Sequence, residues 1–243
     1  MAAEIQDPHP DSSTSLLPDR PIAAVIFDFD ETIIDLEPQH TAAYRALCRV
    51  QGSDYDEMPE SFRLGSGRRI IDDVREMRAH FGWTATEDDL FALRQRLFDD
   101  ICRESDLEPM DGVREAIEAI RATGLRMAIT SSAVRSSIEE ILVRLGLRDA
   151  FGLIVDGSEV VHGKPDPEAY LVTARRLGVA SETCLVFEDS HVGVVAAKRA
   201  GMLCVAVRNP SARTRQDLSA ADVSVDSLRE LDLSALAARS ARR

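Results

Sequence analysis

The sequence predicts an α/β protein with a Rossmann-like, doubly wound parallel sheet and an all-helical cap domain inserted after the first strand. An apolar run at residues 21–27 leads directly into two aspartates, as expected when a buried strand carries acids to its carboxyl end. From Asp111 onward, helical periodicity alternates with short apolar runs, a pattern typical of parallel sheets covered on both faces. Between Leu36 and Glu108 no strand-like alternation of useful length occurs, which predicts helices only.

The composition is that of a globular protein and restricts the expected partners. Of 243 residues, 44% are hydrophobic and 29% are charged, enough for one large or two modest domains with a buried core. The formal net charge of -13 repels nucleic acid and anionic membrane surfaces, so neither is an expected partner. An anionic substrate would need a local positive field, and lysine occurs only at Lys164 and Lys198.

The four cysteines indicate a reducing compartment. Cys48, Cys102, Cys184 and Cys204 are widely separated, with no C-x-x-C and no histidine at zinc-ligand spacing, so we expect buried free thiols. No apolar run approaches the roughly 20 residues of a membrane span, and the N-terminus lacks the basic-then-apolar order of a signal peptide. The expected location is the cytoplasm.

The chain divides into a tail, a core and a cap. Residues 1–20 are rich in Pro, Ser and Asp and are predicted to form a disordered tail. Residues 21–36 and 109–236 are predicted to form the α/β core, and residues 37–108 the helical cap. Within the cap, apolar residues at i, i+3 and i+4 predict helices over residues 38–52, 68–79 and 86–102.

Glycines mark where the predicted core helices end. Gly124, Gly146, Gly178 and Gly201 each follow a segment of helical periodicity, and glycine is the usual residue in the left-handed position that ends a helix. The strands predicted around these helices lie at residues 21–27, 125–130, 153–155, 184–187, 203–207 and 223–225.

Asp28 and Asp30 are the acids at the end of the first strand. Because side chains alternate along a strand, both would point the same way if the extended backbone continued through Phe29. Two carboxylates at about 4 Å repel by roughly 1 to 4 kcal/mol, depending on the effective dielectric constant. A bound cation, a shared proton or a change of backbone direction after Asp28 would offset this repulsion.

Polar side chains at the ends of other strands are the predicted partners of this pair. Thr130-Ser131-Ser132 follows the second strand, Glu188-Asp189 follows the fourth, and Lys164 lies between a glycine and a proline in the loop before the fourth. In doubly wound sheets, ligands bind beyond these strand ends. Carboxylates from two strands suit Mg²⁺, one aspartate can attack phosphorus, and a second can transfer protons. A serine hydroxyl and an ammonium can stabilise the phosphoryl oxygens.

Four segments resemble the ordered motifs of a known enzyme superfamily. FDFDET, ITSS, GKPDP and FEDSHVGVVAAKRAG are similar to the four motifs of the haloacid dehalogenase (HAD) superfamily, in its β-phosphoglucomutase and phosphatase-like branch with a helical, C1-type cap. The resemblance covers residues 21–35 and 109–225, and residues 37–108 fit the cap by position and helicity. It implies a Mg²⁺-dependent enzyme that forms an aspartyl phosphate.

Carried over by position, the resemblance implies roles for the catalytic residues. Asp28 would be the nucleophile and Asp30 the general acid/base. Ser131, rather than Thr130, would bind phosphate. Lys164 would neutralise the nucleophile and the phosphoryl group.

The resemblance also implies a metal site and substrate contacts. Asp28, the backbone carbonyl of Asp30, Asp189 and Glu188 would bind Mg²⁺, although Glu188 could instead orient Lys164. The implied substrate-binding residues are Ser132 after the second strand and two cap residues, His40 and Arg68.

Glu31 departs from the common form of the first motif, which has glycine after the second aspartate. A related D-x-D-E-T form occurs in another phosphatase branch of the superfamily. We therefore do not expect Glu31 to abolish activity, although it adds a third acid to the site.

The predicted function is that of a Mg²⁺-dependent phosphatase of a small phosphorylated metabolite, acting as a monomer or small homo-oligomer. A sugar phosphomutase is the first alternative, although known mutases of this branch use a cap lysine and this cap has none. A weakly catalytic phosphate-binding regulator is the second. Asp30 argues against a dehalogenase, the absence of a cap lysine against a phosphonate-cleaving enzyme, and the inserted cap against a receiver-like signalling module.

Overall fold

A computed structural model describes residues 17–63, 67–209 and 216–239 and has the predicted α/β architecture. Six parallel strands in these ranges form one sheet in the order β3-β2-β1-β4-β5-β6. Their bounds are β1 Ala24–Phe27, β2 Arg126–Thr130, β3 Leu153–Val155, β4 Cys184–Glu188, β5 Leu203–Val207 and β6 Val223–Val225. The doubly wound sheet predicted from the apolar runs is confirmed.

Helices cover the sheet and build the insertion. The insertion contains α1 Glu37–Val50, α2 Glu60–Arg63, α3 Ile70–Phe81 and α4 Glu87–Glu104. The remainder contains α5 Val113–Thr123, α6 Arg135–Arg144, α7 Glu168–Leu177, α8 His191–Arg199 and α9 Leu236–Arg239. Short 3₁₀ turns lie at Tyr55–Glu57, Arg148–Ala150, Gly157–Glu159, Ser181–Thr183, Leu228–Glu230 and Leu233–Ala235.

Strand β1 is central and brings three strand ends to the same level. Phe27, its last residue, lies opposite Ile129 of β2 and Phe187 of β4. Successive side chains of β1 enter different apolar clusters: Val25 and Phe27 pack in the larger one, and Ala24 and Ile26 in a second on the other face. Because both faces are buried, the strand is apolar throughout, and its first polar residue is the one that leaves the sheet.

The insertion has an apolar cluster of its own. Its buried members include Tyr44, Leu47, Met58, Val74, Met77, Trp83 and Leu90. Ala43 of α1 and Phe98 of α4 instead pack in the main cluster of the core. The cap is therefore a separately packed unit that rests on the core through parts of α1 and α4.

Several predicted boundaries differ from the structure by a few residues. The helix expected over residues 68–79 lies at Ile70–Phe81, because Arg69 has an extended backbone and the helix continues to a left-handed Gly82. The tail was predicted over residues 1–20, of which residues 1–16 lie outside the described residues. Its last part is packed: Leu17 is 4% exposed in the main cluster, and the Arg20 guanidinium donates to the Glu182 carbonyl at 2.7 Å.

The four cysteines are free and buried. Burial raises the pKa of Cys48, Cys102 and Cys184 to about 12, which leaves almost no thiolate near neutral pH. No helix in the described ranges combines the length and the apolar character needed to cross a membrane.

We expect the native protein to react very slowly with a thiol reagent such as DTNB, because neither access nor thiolate is available. The same protein unfolded in urea should release the signal of all four thiols. Rapid reaction of any one thiol in the native protein would contradict the buried, protonated state assigned to it.

Candidate active site

Asp28 and Lys164 form a buried ion pair at the end of β1. The Asp28 amide still donates to the Phe187 carbonyl of β4 at 2.9 Å, so the carboxylate leaves the sheet from a fixed backbone position. The Lys164 ammonium donates to Asp28 Oδ1 and, at 2.5 Å, to Glu188 Oε1. Asp28 is 6% exposed and Lys164 is 8% exposed. One cation is thus shared by two carboxylates from neighbouring strands.

Burial and pairing act in opposite directions on these groups. Burial raises the pKa of Asp28, and the nearby Lys164 ammonium opposes this shift. Burial by itself lowers the pKa of Lys164, but the carboxylates of Asp28 and Glu188 outweigh it and the net direction is up. Lys164 therefore stays an ammonium near neutral pH and supplies the positive charge that the acid cluster needs.

Glu188 uses both of its oxygens inside the protein. Its Oε1 accepts from Lys164 and from the Tyr170 hydroxyl at 2.7 Å. Its Oε2 accepts from the Asp189 amide, the Ser190 amide and the Ser190 hydroxyl at 3.1, 3.1 and 3.0 Å. Five donors thus contact the Glu188 carboxylate, and one of them is the Lys164 ammonium named in its alternative role.

Asp189 directly follows β4 and lines the cleft between core and cap. It is 6% exposed, and the Thr32 hydroxyl donates to its Oδ1 at 3.3 Å. Burial, followed by the charges of Glu188 and Asp28, raises the pKa of Asp189. Two buried carboxylates, Asp28 and Asp189, are therefore destabilised by each other at adjacent strand ends. This hard-oxygen pair fits Mg²⁺, whose charge would offset the repulsion.

The three hydroxyl groups at the end of β2 and in the loop after it have different surroundings. The Thr130 hydroxyl is buried and pairs with the Thr173 hydroxyl at 2.6 Å. Ser131 lines the cleft, and its amide is fixed by the Val155 carbonyl at 3.0 Å. Ser132 donates to the Gly67 carbonyl of the cap at 3.0 Å. Ser131, the preferred phosphate-binding candidate, thus lies at the cleft, whereas the Thr130 hydroxyl faces Thr173.

The cap brings His40 to the second aspartate. His40 Nε2 lies 3.5 Å from Asp30 Oδ1, an oxygen with no other hydrogen-bond partner in the described ranges. The His40 ring stacks on Phe98, with centroids 4.4 Å apart, and its Nδ1 contacts the guanidinium of Arg94. Both aspartates of the D-x-D pair thus meet a basic side chain: Asp28 meets Lys164, and Asp30 meets His40.

Arg94 is a residue that sequence reasoning missed. It is 0% exposed, lies between the rings of Tyr44 and Phe98 at 4.5 and 4.9 Å, and has two nitrogens, Nε and Nη1, without a hydrogen-bond partner in the described part of the chain. The i, i+4 spacing of Arg94 and Phe98 puts both on one helix face, which was the available signal. In a chain so rich in arginine, that spacing did not stand out.

Arg68 lines the cap side of the cleft, as expected, but it is already paired. Its Nε lies 3.2 Å from Asp73 Oδ1, and its Nη2 donates to Glu76 at 2.6 Å. The Tyr44 hydroxyl also donates to Asp73, at 2.7 Å. The cap wall therefore presents a hydrogen-bonded carboxylate and a phenol beside the arginine, rather than a bare positive charge.

Glu31 has an unusual backbone conformation. Its φ of 56° makes it the one non-glycine residue with positive φ in the described ranges, so the position suits the glycine of the common motif. The side chain lies at the cleft and accepts from the Asn209 amide at 3.3 Å. Burial, with the nearby charge of Asp35, raises the pKa of Glu31 to about 7.

This fold and cleft are those of a capped α/β enzyme. Its acids and one lysine meet at the carboxyl ends of neighbouring strands. Residues 22–201 match the family model described as haloacid dehalogenase-like hydrolase. The chain belongs to this family, which confirms the resemblance predicted from the four motifs.

Similar proteins include phosphatases. A phosphorylated carbohydrates phosphatase of Thermotoga maritima is 35% identical over 186 residues, covering 74% of this chain and 82% of that protein. Hexitol phosphatase B of Escherichia coli K12 is 31% identical over 215 residues, covering 87% and 95%. The crystal structure of CbbY from Rhodobacter sphaeroides with phosphate superposes with a TM-score of 0.78 at 24% identity, covering 87% and 96%. A β-phosphoglucomutase of Clostridium difficile has a TM-score of 0.76 at 22% identity, covering 90% and 96%. At these identities the two structures show the fold alone.

Replacing Glu31 by glycine should stabilise the metal-free protein by about 1 to 2 kcal/mol, because it removes a strained left-handed residue. A second gain should depend on pH. Burial raises the pKa of Glu31 from its ordinary value near 4.5 to about 7, so the folded protein holds this proton more tightly than the unfolded chain. Protonated Glu31 makes its full contribution to the free energy of unfolding below about pH 4.5, and this contribution is lost as the pH rises through about 7. Removing the acid should therefore stabilise the protein more at about pH 8 than at about pH 5.

The control is Glu31→Gln, which removes the charge and keeps the strained backbone. Urea unfolding of both variants at the two pH values, without metal, separates the effects. Equal stability of the two variants would contradict the backbone strain, and a gain that does not change with pH would contradict the assigned titration.

Proposed function

We propose that this enzyme is a Mg²⁺-dependent phosphatase of small phosphorylated sugars or polyols that works through an aspartyl phosphate on Asp28. The observation that carries the proposal is the meeting of the Asp28 carboxylate, the buried Lys164 ammonium and Asp189 at the ends of two adjacent strands. Residues 37–108 would serve as the cap that closes the cleft over the substrate.

The side chains present can carry both half-reactions. In the first, an Asp28 oxygen attacks phosphorus, the bond from phosphorus to the substrate oxygen breaks, and protonated Asp30 gives that oxygen its proton. In the second, the Asp30 carboxylate takes a proton from water while the water oxygen attacks phosphorus, which releases inorganic phosphate and restores Asp28.

Two other groups would hold the phosphoryl oxygens. Lys164 keeps its charge beside Asp28, and the Ser131 hydroxyl lies at the cleft above the end of β2. Asp28, Asp189 and the Asp30 carbonyl would hold Mg²⁺, which when bound supplies positive charge for the phosphoryl group. Glu188 would act indirectly by fixing Lys164.

The substrate class rests on the cap wall and on the names of relatives. Tyr44, Asp73 and Glu37 line the cleft and offer a phenol and two carboxylates that suit the hydroxyls of a sugar or polyol. The similar proteins named above include phosphatases of phosphorylated carbohydrates and of hexitols. The four free thiols support a reducing, cytoplasmic setting for this activity.

Phosphate release from a panel of sugar and polyol phosphates tests the proposal. We expect turnover with Mg²⁺ and none with excess EDTA. Asp28→Asn should lower kcat by about 10,000-fold while circular dichroism and unfolding remain those of a folded protein, because only the nucleophile is lost.

Three outcomes would contradict the proposal. Near-normal turnover by Asp28→Asn would refute the nucleophile. Interconversion of glucose 1- and 6-phosphates, primed by the bisphosphate and without net release, would favour a mutase. Binding of phosphate esters with no turnover of any of them would favour a regulator.

Metal binding should distinguish the two acids at the end of β4, Glu188 and Asp189. Asp189→Asn should weaken Mg²⁺ binding by about 100-fold, because it removes a ligand carboxylate from the cleft. Glu188→Gln should weaken it by less than about tenfold, because its oxygens accept from Lys164, Tyr170 and the following turn. Titration calorimetry with Mg²⁺ measures both, and equal losses would restore Glu188 as a direct ligand.

A further inference from the structure

A short cap segment, residues 67–69, lies against the loops that carry the catalytic candidates. We call this segment the cap latch. The Ser132 hydroxyl donates to the Gly67 carbonyl at 3.0 Å, next to the phosphate-binding candidate Ser131. We propose that Arg69 of the cap latch is a positioning residue that holds the Lys164 loop in its catalytic arrangement while the cap covers the site.

Arg69 reaches from the cap to backbone carbonyls of the core. Its Nη1 donates to the Val161 carbonyl at 2.9 Å and lies 3.4 Å from the Val160 carbonyl. Asp72 of the cap accepts from Nε and Nη2 at 2.7 and 3.1 Å. This bidentate pair fixes the plane of the guanidinium, so its remaining edge faces the loop.

The loop that leads to Lys164 is held from two sides. On the core side, the Val161 and His162 amides donate to the Glu168 carboxylate at the start of α7, at 3.1 and 2.8 Å. On the cap side, Arg69 binds the carbonyls of the same stretch. The core thus holds the amides, the cap holds the carbonyls, and Lys164 follows two residues after His162.

Two glycines make this close approach possible. A Cβ at Gly163 would lie 3.0 Å from Arg69 Nε and 3.1 Å from its Cδ and Cγ. A Cβ at Gly67 would lie 2.7 Å from both Ser190 Oγ and Val192 Cγ2. A side chain at Gly67 would therefore clash with the core loop, and one at Gly163 would crowd the Arg69 side chain.

The arrangement ties Lys164 to the position of the cap. In this proposal the cap, which has an apolar cluster of its own, moves relative to the core when the cleft opens. Such a shift would move Arg69 and its partner Asp72 together. The hydrogen bonds lost would be those from Arg69 to the Val160 and Val161 carbonyls. The Val161 and His162 amides would then keep their bonds to Glu168 without the opposing bonds from Arg69, and Lys164 would lose part of its support.

Arg69→Gln tests the latch, with Arg75→Gln as the matched control. Arg75 also donates to Asp72, at 2.9 Å, but its other partner is Glu87 of the cap, so it makes no bond to the core loop. The inference rests on the proposed phosphatase for its kinetic readout; amide hydrogen exchange of residues 158–166 is independent of it. If no substrate is turned over, the proposed function fails and the exchange measurement still decides the latch.

In Arg69→Gln we expect the Val161 and His162 amides to exchange about tenfold faster, with the β-strand amides unchanged. The kcat for the best substrate of the panel should fall by about 10- to 100-fold, with a smaller change in KM, because Lys164 is misplaced while the substrate contacts remain. Arg75→Gln should match wild type in both. Wild-type exchange in Arg69→Gln, or equal effects of the two variants, would overturn the proposal.

Gly163→Ala gives a second test that does not depend on removing the arginine. Its methyl group should crowd Arg69 and reproduce the faster exchange of the loop. In an Arg69→Ala background the space is free, so Gly163→Ala should add no further effect on exchange or kcat. Fully additive effects of the two substitutions would show that Gly163 and Arg69 act separately, and would contradict the latch.

Discussion

A single buried ammonium shared by two carboxylates is the constraint on which the rest of the structure depends. Taking three charged groups out of water costs several kcal/mol for each one unless every charge is paired. Lys164 meets Asp28 and Glu188, and the remaining lone pairs of Glu188 accept from Tyr170 and the Ser190 turn. The pairing of β1 with β4 brings Asp28 and Glu188 together, the loop before α7 supplies Lys164, and the turn before α8 supplies Ser190.

The acid cluster explains the distribution of the other polar groups. Asp28 and Asp189 lie at adjacent strand ends and repel, and a divalent cation bound there would offset that repulsion. On the opposite side, the cap presents His40 to Asp30, with the buried Arg94 behind the imidazole. Because carboxylates outnumber cationic side chains along the cleft, a phosphorylated substrate would depend on bound Mg²⁺ and on the buried Lys164 for positive charge.

Glu31 shows how the site tolerates a departure from the common motif. A left-handed residue with a side chain strains the backbone, and a third buried acid adds repulsion. The Asn209 amide accommodates part of the charge, and the pKa raised to about 7 means that about half of the carboxyl groups are protonated at neutral pH in the absence of metal. The side chain lies at the cleft, where its charge also acts on Asp189.

The sequence by itself determined the sheet, the helical insertion and the residues at the strand ends. Apolar runs and helical spacing are local signals, and parallel strands bring their carboxyl ends to one edge whatever the details of packing. Tertiary structure decided the roles that depend on contacts between distant segments. Glu188 and Asp189 are neighbours in sequence, yet one faces Lys164 and the other the cleft. Arg94 and Arg69 are ordinary arginines in sequence, and only the approach of α4 to His40 and of the cap to residues 160–163 gives them partners. Those partners lie dozens of residues away, and no local pattern encodes which side chain meets which across a folded interface.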